Sequence, residues 1–342
     1  MRQGQLRQGP GEVGALPTAV GDAVRAAAEY GRRIADFQVT QHKIADMAAN
    51  LFAMESIVEL ATEMSNRGGF DIRLEAAAAK EWNTCRAWEI VDDTMQIRGG
   101  RGYETASSLA ARGEEPIAVE RMMRDYRINK IFEGSSEIMH LFMAREAVDK
   151  HLEVAGSIID PKKSPAEKVQ ALPRIAAFYA SWYPTRWIPR ARSFSEFGPF
   201  AGHLRFVERS TRRLSRQVFH GMVVHQARLQ HKQAFLFRLV DIANELFAMA
   251  ASVSRAHAMR RAGDPAAASA AELADLFCRG ARRKVRRLFI DLWSNDDARK
   301  YRVAKGVLEG RQLWLEALID GLDRSPEASA AAEEEPLAVA VH

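Results

Sequence analysis

What this chain can fold into is limited most by residues 121–150, RMMRDYRINKIFEGSSEIMHLFMAREAVDK. Helical spacing on both sides is interrupted at Phe132-Glu133-Gly134. Gly134 is the position best suited to a backbone conformation that other residues avoid, and Ser135 or Ser136 then offers a hydroxyl to the first free N–H groups of a second helix. In that helix Ile138, Leu141, Phe142, Ala144 and Val148 recur three and four residues apart. This predicts one apolar face, with Glu137, His140, Arg145 and Glu146 largely off it. Glu133 is then a lone acid held between two helices with buried faces. Ile131 and Phe132 would desolvate it and raise its pKa, while the positive end of the following helix would lower it. That balance suits a base able to take a proton from carbon. A solvated acid favouring a helix start fits the same spacing, so both readings stand at this point.

The rest of the chain predicts an all-α protein. Residues 36–66 carry Ile44, Met47, Leu51, Phe52, Ile57, Val58, Leu60 and Ala61 on one broad face and end at Gly68-Gly69. Residues 74–95 form a second long helix, stopped by Gly99-Gly100 and Gly102. Residues 104–118 read as a linker inserted beside the site. Further helices are expected over 169–190, broken by Pro184 and Pro189, and over 206–222, 225–261, 270–292 and 298–322. We expect a loose N-terminus over 1–20, a first helical domain over 21–155, a second helical bundle over 165–322 and a disordered tail over 323–342. Residues 43–54 and 238–249 echo each other, with Asp46 and Asp241 in register and Leu-Phe-Ala-Met ending both.

Charge separates the halves. The net charge is +5, composed of −4 over 1–150, +13 over 151–322 and −4 in the tail. Six of the nine residues over 279–287 are basic, and five more Arg lie over 205–216 around Phe206. Beside Trp182, Trp187, Phe194 and Phe197 such a face would dock on anionic membrane; a solvated helix face with intersubunit ion pairs gives the same pattern. Basic helices also bind nucleic acid, but the patch reports charge rather than partner, and nucleic acid is not the expected one. Two cysteines, Cys85 and Cys278, form no disulfide framework or metal spacing, and no apolar run is long enough to cross a membrane. A cytoplasmic protein, peripheral to a membrane if the basic face docks, is the expectation.

Four ordered motifs resemble the C-terminal helical domain of the acyl-CoA dehydrogenases. They are Gln96-Ile97-Arg98-Gly99-Gly100-Arg101-Gly102-Tyr103; Glu120-Arg121 with Arg124-Asp125; residues 131–138; and Ala144-Arg145-Glu146. The proline of the second motif is displaced, since Pro116 stands four residues before Glu120. Residues 165–322 resemble the helical extension of the long-chain and very-long-chain members. The resemblance implies FAD-dependent α,β-dehydrogenation of a fatty acyl-CoA, with Glu133 as the base and the backbone at Gly134 binding the substrate thioester. It further implies FAD contacts from Ser135, Glu137, Tyr30 and Phe37, and from Gln96, Gly99 and Gly100 across a homodimer. An electron-transfer flavoprotein or equivalent acceptor completes the set of partners. Two departures stand out. Ala27 occupies the slot where the family has an Arg for the FAD pyrophosphate, and nothing before residue 20 resembles the family's N-terminal and middle domains. A truncated form is therefore expected, with a non-catalytic dimerisation or membrane-docking module as the alternative.

Overall fold

The structure is a computed structural model that describes residues 28–29, 32–69, 71–160, 162–188 and 192–315. A two-residue antiparallel ladder, β1 (Ala28–Glu29) with β2 (Arg32–Arg33), pairs Ala28 with Arg33 and Glu29 with Arg32. Everything else with regular structure among the described residues is helical. Two long helices, α1 (Gln38–Arg67) and α2 (Arg73–Arg98), pack on each other. Short helices α3 (Gly100–Tyr103), α4 (Ala106–Ala111) and α5 (Val119–Ile128) then lead to α6 (Ser136–Ile159). The second half comprises α7 (Pro165–Thr185), α8 (Ala201–His225), α9 (Gln233–Ala262), α10 (Ala267–Asp291) and α11 (Asp297–Leu308). The chain divides into two compact units at Leu292, so α1 to α10 lie in one and α11 in the other.

Within the first unit α9 is the central element. It packs against α10 most extensively, and also against α8, α1 and α6. Its sequence explains why: Leu239, Val240, Ile242, Leu246, Met249, Val253 and Ala256 fall on several sides of the cylinder, and a helix apolar on more than one face must be enclosed. Small residues are buried on both of these packed helices, Ala248, Ala251 and Ser252 on α9 and Ala270, Ala274, Cys278 and Ala281 on α10. One continuous core thus joins residues from both halves of the sequence, from Met47 and Ile57 through Trp82 to Phe277 and Val285. Arg255 of α9 adds ion pairs to Glu55 (2.8 Å) and Glu59 (2.9 Å) of α1.

Local signals behave as their chemistry requires. Ser164 accepts from Glu167 N and Glu167 answers to Ser164 N, a capping box that starts α7 with Pro165 in its first turn. Pro173 and Pro184 lie inside α7, so Pro184 does not break the helix as the sequence suggested; the helix ends at Thr185. Residues 104–118 are not a bare linker. Thr105 caps α4, whose Leu109 is fully buried, and this anchors the segment. The residues over 316–322, read as the end of a helix, lie outside the described residues.

Candidate active site

The loop between α5 and α6 is built by backbone hydrogen bonds. Ile131 N and Phe132 N both donate to Ile128 O (2.8 and 3.0 Å), and Ser136 N reaches back to Lys130 O (3.1 Å). Closing the chain this tightly forces Glu133 to φ 51 and Gly134 to φ 93. Glycine accepts that conformation readily; a glutamate does not, so strain sits on the acid itself. Ser135 then caps α6, its hydroxyl accepting from Ile138 N at 3.4 Å. Glu137, in the first turn, has its carboxyl held below the usual range by its own backbone N–H and by the Ser135 hydroxyl. Among the described hydrogen bonds, the Glu133 and Gly134 N–H groups donate to none.

Glu133 is exposed, as are Ile131 and Phe132, the latter 43% accessible. The desolvation expected from those two side chains therefore does not occur in this chain, because the loop is closed by backbone bonds rather than by burying its apolar residues. The face assigned to α6 is also corrected at two positions. Ile138 is 58% accessible, whereas His140 is buried. His140 goes inside because its polar atoms find partners there: Nδ1 lies 2.7 Å from Ser136 O, Nε2 lies 3.1 Å from Asp241 Oδ1, and the ring stacks on Phe237. Burial pulls its pKa down, but the Asp241 hydrogen bond, the Glu81 and Asp241 charges and the Ser136 carbonyl together raise it.

From α2, Lys80 donates to Phe132 O (3.3 Å) and Gly134 O (2.5 Å), and Cys85 donates to Glu81 Oε1 at 3.1 Å with Ser136 Oγ 3.6 Å away. Burial and the Glu81 charge push the Cys85 thiol up to about 11, so it is a thiol and not a nucleophile near neutral pH. Below this lies a buried charge cluster. Glu81 accepts from Asn244 Nδ2 (2.9 Å), and Glu245 accepts from Trp82 Nε1 (3.1 Å), Arg86 (2.7 Å) and Lys284 (2.8 Å). A polar cleft of about 340 Å³ opens here, its walls including Cys85, Lys130, Ser136, Glu137, His140 and Asp241. Reading motifs missed these groups. The available signal was register, because Glu81 follows Ala77 and Ala78 at helical spacing on the buried side of α2.

The remaining sequence-predicted residues fall elsewhere. Gln96 is exposed in the last turn of α2, and Gly99, at φ 58, ends that helix with Gly100 starting the next. Gly102 is buried, and a Cβ there would stand 2.6 Å from Met95 O, so this glycine is needed for close approach. Phe37, 36% accessible, precedes α1. Tyr30 and Ala27 lie outside the described residues. The basic run of α10 takes its aromatic contact from Phe206 of α8, over which Arg282 and Arg286 lie, while Arg213 of α8 lies over Phe289 of α10 at 4.2 Å. Of the aromatic residues named with it, Trp187 carries Arg216 at 4.0 Å and Trp182 carries Arg186 at 5.3 Å, Trp182 also packing with His151 and Phe219, while Phe197 packs with His257.

Comparison with known proteins gives two matched domains. Residues 8–148 match the family of the acyl-CoA dehydrogenase C-terminal domain, and residues 200–311 that of the ACAD9/ACADV C-terminal domain. The probable acyl-CoA dehydrogenase FadE10 of Mycobacterium tuberculosis is 48% identical over 300 residues, covering 87% of this chain and 46% of that protein. The human mitochondrial very long-chain specific acyl-CoA dehydrogenase is 28% identical over 295 residues, covering 82% and 42%. The chain thus spans about half the length of the curated relatives it matches. Among solved structures, an acyl-CoA dehydrogenase complexed with FAD from Bacillus anthracis shares the fold at a TM-score of 0.59 and 22% identity, covering 85% of this chain and 49% of that one.

Proposed function

The chain belongs to the acyl-CoA dehydrogenase family, and from that premise we propose that it is the helical part of an FAD-dependent enzyme converting a fatty acyl-CoA to the trans-2-enoyl-CoA, with Glu133 as base. The observation that supports this most directly is the start of α6. A carboxylate and two N–H groups that engage no acceptor among the described residues occupy consecutive residues, Glu133 and Gly134, beside a helix N-terminus. Those are the two things the reaction needs from protein: donors that polarise the thioester carbonyl and so acidify the α-carbon, and an acceptor for the proton released. The α C–H proton passes to the Glu133 carboxylate as the carbon–carbon double bond forms.

We read the following residues as the ones that would hold FAD, with Ala27 supplying no charge for its pyrophosphate. Ser135, Glu137, Tyr30 and Phe37 would hold the FAD of the same chain. Gly99 and Gly100, with open space where a Cβ would stand, would join Gln96 in reaching the FAD of a second copy, which makes a homodimer part of this reading. When bound, the flavin supplies the acceptor for the β-hydride. An electron-transfer flavoprotein or an equivalent acceptor would then take the electrons onward. A second reading rests on α8 and α10, where burial, and then the nearby charges of Arg286 and Arg209, hold the Arg282 guanidinium below its usual range, with Phe206 beneath Arg282 and Arg286. We read this face as a peripheral contact for anionic phospholipid; no helix among the described residues is long and apolar enough to cross a membrane.

The test is flavin retention. The purified chain is desalted, its flavin absorbance recorded, and a long-chain acyl-CoA added to the wild type and to Glu133→Gln. Bound flavin that bleaches with acyl-CoA in the wild type and not in the variant supports the assignment. Bleaching that survives Glu133→Gln refutes the base, and a folded, colourless chain refutes cofactor binding by this chain alone. Co-sedimentation with vesicles containing anionic phospholipid, lost on Arg282→Ala with Arg286→Ala, tests the basic face.

A further inference from the structure

We propose that Lys80 is a positioning residue for Glu133, holding the acid in its left-handed conformation by bracketing it. Its role in the reaction rests on the reading of Glu133 as base given above, but its conformational claim does not. Glu133 at φ 51 is one of three non-glycine residues with positive φ among those described, and it relaxes toward commoner backbone regions unless something holds it. The Ser136 N to Lys130 O bond fixes only the ends of the loop. Lys80 acts in the middle. Its ammonium donates to Phe132 O at 3.3 Å and to Gly134 O at 2.5 Å, the carbonyls on either side of the strained residue.

The donor comes from α2, a 26-residue helix whose Ala77, Ala78, Glu81 and Trp82 are buried around it, so it projects from a rigid base. A single ammonium with three N–H groups can donate to both carbonyls from one atom, which a planar guanidinium does not reproduce. The same cation stands near the Glu133 charge, and the two attract. Geometry of this kind matters most for a base on a loop, where a small misplacement from the carbon it must reach costs rate out of proportion.

A Glu-specific protease reads the loop without flavin or substrate. In the native full chain, the rate of cleavage at Glu133–Gly134 is measured by mass spectrometry against cleavage at Glu309–Gly310, an exposed turn in the other compact unit. Lys80→Met is expected to raise that ratio about tenfold, the order set by losing a charge-assisted hydrogen bond, with the melting temperature lowered by only about 2 °C. Lys80→Cys should behave alike, and aminoethylation of that cysteine, which rebuilds an ammonium of nearly the same reach, should restore protection. Burial pushes the Cys85 and Cys278 thiols up to about 11 and about 12, which disfavours their alkylation, and the mass spectra restrict the readout to chains modified at residue 80 alone. An unchanged ratio in folded Lys80→Met overturns the proposal, as does a rise that aminoethylation fails to reverse. Should Lys80→Met not fold, Lys80→Gln is read in the same way. Flavin bleaching that survives Glu133→Gln would count against Glu133 as base and leave this result untouched.

Discussion

Replacing Glu245 by Gln changes one charge and almost no volume at the place where the two halves of the sequence meet. Glu245 is 2% accessible on its side chain and accepts from Trp82, Arg86 and Lys284. Glutamine keeps an oxygen for Trp82 Nε1 but leaves the Arg86 guanidinium, 14% accessible, short of a counter-charge. Breaking a buried pair in this way costs about 3–5 kcal/mol. Arg86 retains Glu89 at 2.5 Å, an exposed partner, and Lys284 is half exposed and can rehydrate, so we take the lower end, about 3 kcal/mol. For a unit that ends at Leu292, the unfolding entropy is about 0.6 kcal/mol per kelvin, which makes the expected fall in Tm about 5 °C. The assay is urea denaturation followed by far-UV circular dichroism, with the slope m checked for constancy. Adding Arg86→Met removes the stranded cation, so the double variant should recover at least about 1 kcal/mol. A Glu245→Gln loss below about 1 kcal/mol, or strict additivity in the double variant, would refute the reasoning.

Other consequences are as direct. Because the His140 pKa is raised in the fold, its stabilisation is complete below the ordinary value of 6.5 and fades as pH rises through the raised one; denaturation midpoints should fall over that window, and fall less in His140→Phe. The groups facing it are Glu81 of α2, Ser136 of its own helix and Asp241 of α9. Gly102→Ala places a methyl 2.6 Å from a main-chain oxygen and should cost about 1–3 kcal/mol in the same assay. Ser164→Ala removes the capping box of α7 and should cost about 1 kcal/mol, without moving the flavin or protease readouts above.

Much of the fold is legible in the sequence because its signals are local and repeated. The apolar spacing of α1, the glycines after Arg67 and Arg98 and the Ser135 cap each act within a few residues, and the structure places helix ends where they fall. Sequence periodicity misplaced His140, since a histidine counts as polar until a partner such as Asp241, 101 residues away, makes burial tolerable. Lys80 drew no reading at all, because its carbonyl partners lie more than 50 residues downstream. For Glu133 the motif points to the residue and not to its surroundings, which depend on where Ile131 and Phe132 turn.

The central position of α9 also has a consequence in time. The Trp82 to Glu245 bond spans 163 residues and the Glu55 to Arg255 pair spans 200, so α1 and α2 leave the ribosome long before the helix that covers them. At about 5–20 residues per second, a separation of 163 residues is a wait of about 8–30 s with apolar faces uncovered. Nascent chains of this protein should therefore be held by chaperones until residues 233–262 emerge, and ribosomes stalled before that point should carry a protease-sensitive chain.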